Sequence, residues 1–576
     1  MFEKKVKLWL FLILIIASIL RLWKLNTVPI SLYSDEVDVG YQAYSILKTG
    51  KDYFGNSWPF FFQSYSDNRT PLYIYSTVPT VALFGITPLG VRLPSVFFGV
   101  LGIYAFYLLI KEMTDNKTMA LLSGAVLTIS PWDIQFSRIA FEATEMLFFL
   151  LLGMYFFFRS INTGKNYIGM SFLFFGLTPW VYSTAKFFIP ILLIFLAVMY
   201  KSELFKILKD SWSKTLIVIL VLWLPLLYLT VFGKFNSRFN YISIFTNPTT
   251  ISDTGYARQV DAQFLGPDRL LLSKLESRMV HNKYMIWVAE IIHNYLETFS
   301  TQFLFLSGDP NLRQSPQDVG QLYKIEFVTL AAGCFFFFTK YKDNKIKWLV
   351  LFWLVIGSLP SELTRIGGTH ATRLILILPV LGFLIAFGIL EGSSFMKRYS
   401  KFALSVYCIF LFINIILYEH NYFVHYPWYS ERAFSSGYEN VISHIKKYEK
   451  DFDKVIITNS LDQPYIFLAA YYPIEPSRWQ AGLADVDVNG FGKLKHFDKY
   501  YFGQMGEEGT DSLPGVLDGT TLYIAAAREF KDNLVLNSDK LPAGLHLTEV
   551  ISYPSGEPAF YFLTKDLDYI STVQEL

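Results

Sequence analysis

Asp35 and Glu36 stand side by side in Ser34-Asp35-Glu36-Val37-Asp38, shortly beyond the first long apolar run of the chain. Paired carboxylates can divide a reaction: one takes a proton from a hydroxyl or amine acceptor while the other orients that acceptor or binds a cation. They also have a structural use, since Ser34 and Asp35 are residue types that cap a helix, here one starting near Val37. A second polar turn carries Ser130-Pro131-Trp132, Ser137-Arg138, Glu142 and Glu145. Arg138 and Glu142 are four apart, a spacing at which a helical ion pair contributes only about 0.2–0.5 kcal/mol. Both precede an apolar run, however, and charges entering lipid are rarely kept without partners. The bases near helix ends are few: Arg92, Lys186, His370 and Arg373. Singly, each can snorkel to an interface. Together they form a cradle for a phosphate, and a phosphate-linked donor is the hypothesis that uses both the acids and the bases.

The elements that must position these residues are membrane helices. A composition of 52% hydrophobic and 18% aromatic residues over 576 positions, with mean hydropathy +0.33, excludes an ordinary soluble chain. The net charge of +2 gives no footprint for nucleic acid, and no such partner is expected. Cys334 and Cys408 both fall in apolar segments, so no disulfide framework is implied. Spans are expected at 6–25, 91–110, 118–134, 142–158, 167–182, 187–200, 215–233, 324–339, 347–363, 374–391 and 402–418, about eleven in all. The first, lacking a small-residue cleavage site, reads as a retained helix.

Basic residues orient these spans. Lys4, Lys5 and Lys7 precede the first, and alternate loops carry Lys111 and Lys117, Arg159 and Lys165, Lys201 to Lys214, Lys340 to Lys347, and Lys397 to Lys401. Those loops are cytoplasmic by the positive-inside rule, as is the N-terminus. Leu72 to Phe84 is apolar but short and contains Pro79. Counting it as a span would invert every later loop, so it reads as an external juxtamembrane or re-entrant helix. The opposite, external side then receives loops at about 26–90, 131–142 and 234–323, together with everything after Tyr418. Residues 1–418 form the expected transmembrane domain and 419–576 an external soluble α/β domain, with an amphipathic helix near Glu439 to Tyr448 and buried strands near Lys454 and Thr521. Among the aromatic residues, Tyr41, Tyr44, Trp58, Tyr65 and Trp132 lie where they either anchor an interface or stack on a sugar.

The run from Asp35-Glu36 through Gly40-Tyr41-Gln42-Ala43-Tyr44 to Lys51-Asp52, then Pro71-Leu72-Tyr73, Arg92-Leu93-Pro94-Ser95 and Ser130-Pro131-Trp132 with Ser137-Arg138, resembles the GT-C superfamily of membrane glycosyltransferases. Within it the chain resembles family 39, which includes protein O-mannosyltransferases and lipid A aminoarabinose transferases. The resemblance covers roughly residues 1–160; a looser block at His281-Asn282-Lys283, Asn294-Tyr295-Leu296 and Gly308-Asp309-Pro310 is similar to prokaryotic members. It implies a polyprenyl-phosphate-sugar donor, an external active site in the cytoplasmic membrane, an acceptor that is a protein, lipid or glycan, and inversion at the anomeric carbon.

Asp35 would then be the general base or acceptor-orienting acid, with Glu36 beside it, and Glu142 would stand where the family often has a second-loop Asp. Arg69, one residue before the family's usual basic position, would contact the donor phosphate along with Arg92, Arg138, Lys186, His370 and Arg373. A divalent cation is compatible with the acids, but no cluster identifies one. Two other readings share the external site or the spans: a ligase drawing a glycan from a lipid pyrophosphate, and a transporter of lipid or sugar. A transporter should show repeated halves and charges at the bilayer centre, whereas these charges gather toward one face.

Overall fold

A computed structural model describes residues 2–64, 68–209, 212–232, 237–265, 270–483, 494–505 and 512–566. The expected spans fall mainly on helices, among them Phe2–Leu22, Pro88–Thr114, Ala143–Thr163, Asn344–Glu362 and Ser400–His420, while 118–134 is broken at Ser130 into two. Local chemistry sets their ends. The side chain of Asn116 accepts from the backbone of Thr118 and Met119 at the start of Lys117–Ile129, and Asp343 does the same for Asn344–Glu362. Gly164, at φ 65°, closes Ala143–Thr163 in the left-handed conformation that a side chain would resist.

By length and composition together, the expected count of about eleven spans is matched only in part among the described residues. Among the described residues four are long and apolar enough, Pro88–Thr114, Ala143–Thr163, Ala371–Phe395 and Lys397–Tyr429, and a fifth is gained if the pair Ala185–Met199 and Lys201–Ile207, bent by 94°, is one span. Others stop short: Lys117–Ile129 has 13 residues and Ile168–Val181 has 14. At 1.5 Å per residue such helices are only about 20 Å long, against a hydrocarbon core of about 30 Å. Leu72–Phe84 is a helix containing Pro79, in keeping with its sequence.

The chain divides into two compact units, and neither is a single stretch of sequence. The first comprises Met1–Arg21, Ser95–Ser137 and Glu142–Glu419. Its helices Glu326–Lys340 and Leu378–Phe395 meet backbone to backbone: a Cβ on Gly333 would lie 1.9 Å from the Leu384 carbonyl oxygen, and one on Gly388 1.9 Å from that of Thr329. Small residues permit such approach in membrane bundles. Arg21, inside the first apolar helix, is buried and forms an ion pair with Asp133, while its Nη1 donates to the carbonyls of Ala17 and Thr128 at 3.1 Å.

The second unit comprises Leu22–Pro94, Arg138–Phe141 and His420–Leu576. It contains a short hairpin, β1 (Phe62–Gln63) with β2 (Asn68–Arg69), and a six-stranded sheet built from β3 (Lys454–Ile457), β4 (His496–Phe497), β5 (Tyr500–Phe502), β6 (Thr521–Ala526), β7 (Leu545–Ser552) and β8 (Pro558–Lys565). The sheet order is β4-β5-β3-β6-β8-β7; β3 runs parallel to β5 and β6, and the other pairings are antiparallel. Alternation sorts its side chains by face. Val455, Ile457, Leu522, Ile524, Phe560 and Phe562 enter one core, and Ile456, Tyr523, Ala525, Tyr561 and Leu563 the other. The first core also takes in Val37, Val39, Tyr41 and Ala43, so the helix that carries the acid pair is built into the same apolar interior as the sheet.

Candidate active site

The acid pair lies in the first turn of helix Ser34–Thr49, where carboxylates favour the positive end of the helix dipole. The residue at the N-cap is Tyr33, whose side chain makes no capping hydrogen bond, and Ser34 and Asp35 lie inside the helix, not at its cap. Glu36 and Asp35, though adjacent, are held in opposite conditions. The Glu36 side chain has no exposure, and its carboxylate takes a two-pronged ion pair from Arg92: Nε to Oε1 and Nη2 to Oε2, both at 2.8 Å. The backbone N–H of Ala140 also donates to Glu36 Oε1 at 2.9 Å, tying the helix to the Arg138–Phe141 segment. Asp35 keeps 38% of its side chain exposed while pairing with Arg69 Nη2.

Asp38, quoted in the motif but not singled out from sequence, completes this group. Its carboxylate is fully buried and receives Arg69 Nε at 2.6 Å, Tyr53 OH at 2.7 Å and Ser64 Oγ at 3.0 Å. Burial pushes the Asp38 carboxyl up, opposed by the Arg69 charge and by the hydrogen bonds from Tyr53 and Ser64. The signal for it was the three-residue spacing from Asp35, which puts both acids on one helix face.

Three bases expected at a donor phosphate have other work here. Arg92 is fully buried, and beyond Glu36 it donates to the carbonyls of Leu25, Pro29 and Ser31, so all of its N–H groups are directed at protein acceptors. It holds an acid and a loop. Arg138 is buried too, donating from Nη2 to the Val28 carbonyl at 2.8 Å, with its guanidinium over the rings of Tyr422 and Phe423. Arg69 spans Asp35 and Asp38, with 11% of its side chain exposed. Arg138 and Glu142 do not share a helix, because the chain turns between Pro131–Ser137 and Ala143–Thr163. Glu142, half-buried, sits at the N-cap of the latter without a side-chain cap.

The other unit gathers a different pair. Lys186 and Arg373 line one cleft with Tyr182, Ser183, Thr184 and Thr364, and Arg373 Nη1 donates to Thr364 Oγ1 at 2.7 Å. The turn bearing Arg373 is pinned from several sides. Asp309 Oδ2 accepts from the Ala371 backbone at 2.9 Å, Gln314 Oε1 from both the backbone and the hydroxyl of Thr372, and the Ala371 carbonyl from Trp132 Nε1. Burial pushes the Asp309 carboxyl up to about 6. His370 occupies the N-cap of Ala371–Leu374. Asp309 and Gln314, not singled out from sequence, thus hold the backbone between His370 and Arg373.

Of the aromatic candidates, Tyr41 and Trp132 are buried, Tyr44 is half-buried, and Trp58 remains 66% exposed while stacking on Tyr75; Tyr65 lies outside the described residues. Among the described residues, no three of His, Cys, Asp and Glu converge to hold a metal ion.

Residues 68–229 match the family model described as dolichyl-phosphate-mannose-protein mannosyltransferase. The fold is similar to that of ArnT from Cupriavidus metallidurans bound to undecaprenyl phosphate, with TM-score 0.50 and 11% identity over 96% of this chain and 98% of that one. It is also similar to the Archaeoglobus fulgidus oligosaccharyltransferase, with TM-score 0.45 and 13% identity over 80% of this chain and 61% of that one, so this chain spans about three fifths of the archaeal protein's length. A third likeness is to the Saccharomyces cerevisiae protein O-mannosyltransferase Pmt1-Pmt2 complex bound to the sugar donor, with TM-score 0.32 and 18% identity over 39% of this chain and 34% of that one. No curated protein sequence matches the chain.

Proposed function

We propose that the chain is a GT-C superfamily glycosyltransferase of the protein-mannosyltransferase type, and that it moves a hexosyl or pentosyl group from a polyprenyl-phosphate-linked donor to an acceptor, with inversion. The acceptor is a protein, lipid or glycan at the external face of the cytoplasmic membrane. The proposed topology has about eleven spans within 1–418, a cytoplasmic N-terminus and an external domain at 419–576. The undecaprenyl phosphate bound to ArnT supports the class of carrier.

The observation that carries the reading is the division of labour in the acid pair. Glu36 is sealed against Arg92, and its neighbour Asp35 faces outward. In a single displacement Asp35 takes the proton of the acceptor hydroxyl or amine as that atom bonds to the anomeric carbon. The bond from that carbon to the donor phosphate oxygen breaks, and its electron pair leaves on the phosphate. The departing group is already anionic, so it needs fixed positive charge more than a proton. Lys186 and Arg373, which share one cleft, are the proposed cations, with His370 held on the same turn as Arg373. Glu142 is the proposed second acid. A divalent cation, if bound, would add to this charge; the step above uses side chains alone.

The test is transfer of labelled sugar from a panel of polyprenyl-phosphate monosaccharides in membranes holding the protein. Transfer from at least one donor is expected. No transfer from any of them, with transfer from a lipid-pyrophosphate glycan, would replace this reading with that of a ligase.

A further inference from the structure

We propose that the first unit holds a phospholipid with an anionic headgroup: an acyl chain lies in an apolar groove between three helices, and the headgroup phosphate rests among Lys340, Lys397 and Lys401. The site involves none of the residues assigned to sugar transfer and does not depend on that reading. The groove lies where helices Glu326–Lys340, Leu378–Phe395 and Ser400–His420 meet, as a cavity of about 270 Å³ with an almost wholly apolar lining. Ala332, Phe336, Gly392, Leu404 and Tyr407 are among its walls, so all three helices contribute. Small residues keep it open. A Cβ on Gly388 would strike the Thr329 carbonyl oxygen, whereas one on Gly392, a turn later, would meet nothing within 4 Å. Gly388 thus serves the helix crossing, and Gly392 leaves the groove clear. Val328, Phe395 and Leu404, also in the lining, are exposed, so the groove opens sideways.

The mouth of the groove is basic. The first of these helices ends at Lys340, the turn Lys397–Tyr399 joins the second to the third, and Lys401 lies in the first turn of the third. Lys340 Nζ sits 4.3 Å from the ring centroid of Phe336 and 5.6 Å from that of Phe395, which places its charge over two of the lining rings. Lys401 precedes Leu404 by three residues and shares its helix face. Lys397, Arg398 and Lys401 are exposed and form no ion pair among the described residues, and the acid facing the group is Glu391, 3.6 Å from Lys340. Four bases against one acid leave an excess of positive charge. That excess selects the occupant. An apolar protein helix laid in the groove would cover Lys340 and press its charge against hydrocarbon, an unfavourable arrangement. A phospholipid fills the groove with its chain and meets the bases with its phosphate, the chemistry by which basic pockets between membrane helices hold anionic lipids.

The experiment is native mass spectrometry of the full chain, purified in detergent and titrated with phosphatidylglycerol or phosphatidylcholine of identical acyl chains, with Tm recorded on each preparation. Retention of phosphatidylglycerol is expected at about fivefold or more higher affinity than phosphatidylcholine, and Lys340→Gln and Lys401→Gln should each weaken it by about fivefold, the contribution of one base at an anionic lipid surface. Gly392→Leu fills the groove and should weaken both lipids, while Tm without lipid holds, since a Cβ there meets no protein atom. Bases that only orient the chain in a membrane would give equal binding of the two lipids, and that result overturns the proposal. Phosphatidylglycerol affinity unchanged in folded Gly392→Leu would put the lipid elsewhere and overturns it as well. Displacement of the bound lipid by undecaprenyl phosphate at lower concentration would give the groove to a carrier lipid, again overturning it. Should Gly392→Leu not fold, the two lysine variants decide.

Discussion

At the scale of single residues, burial separates chemistry from scaffolding. Glu36 and Arg92 are both fully buried, so removing one strands the other's charge. Glu36→Ala is expected to cost about 3–5 kcal/mol of stability, read as a lower Tm or lost folded yield in detergent, with any remaining folded protein keeping Asp35 in place. Asp309 gives a pH signature. Its folded carboxyl is held up to about 6 against an ordinary 3.8, so between these values the folded state keeps a proton that the unfolded state has released. The stability this adds is full below about 4 and is lost as pH rises through about 6. Across that interval the Tm of the unaltered protein should fall relative to Asp309→Asn, in which the dependence is absent; parallel Tm curves would contradict the assignment. Residue types announced the acids, but not their partners. Arg92 lies 56 positions from Glu36, and Arg69 34 from Asp35, distances at which spacing carries no pairing information. That is why the acid and loop contacts of Arg69, Arg92 and Arg138 were not legible in the sequence.

At the scale of elements, apolar runs located helices well but said less about their length. A run ends its helix where a turn or a bend intervenes, as at Tyr182 after Ile168–Val181 or between Ala185–Met199 and Lys201–Ile207, and composition averaged over a window does not register this. Helix contact was also hidden, since a glycine in an apolar run has many uses. Gly333 and Gly388 have a specific one, the close crossing of Glu326–Lys340 with Leu378–Phe395. Gly388→Ala would place a methyl group against the Thr329 carbonyl oxygen. The helices must separate to admit it, at a cost of about 1–3 kcal/mol, so Tm in detergent is expected to fall; an unchanged Tm would mean that the helices do not meet there.

At the scale of the whole molecule, sequence composition separates an apolar part from a polar one after Tyr418, whereas folding groups residues by shared interior. The C-terminal sheet was visible in Lys454–Ile457 and Thr521–Ala526, but its use as a foundation for helix Ser34–Thr49 was not, because Tyr41 reaches the Ile474 carbonyl and Gln480 reaches Ser45, Thr49 and Asp52 across more than 400 positions. Truncation after Tyr418 would therefore expose Val37, Val39 and Tyr41, and is expected to abolish transfer along with the folded state of the acid helix. A truncated protein that retained transfer would show that the helix needs no such support.

The most direct measurement of the central claim is sugar transfer by Asp35→Asn at matched expression, with Tm recorded on the same preparations. Asp35 is partly exposed, so the fold should survive with nearly unchanged Tm, while turnover falls by about 10²–10⁴-fold for want of a proton acceptor. Turnover equal to that of the unaltered protein, in a folded variant, would contradict the account.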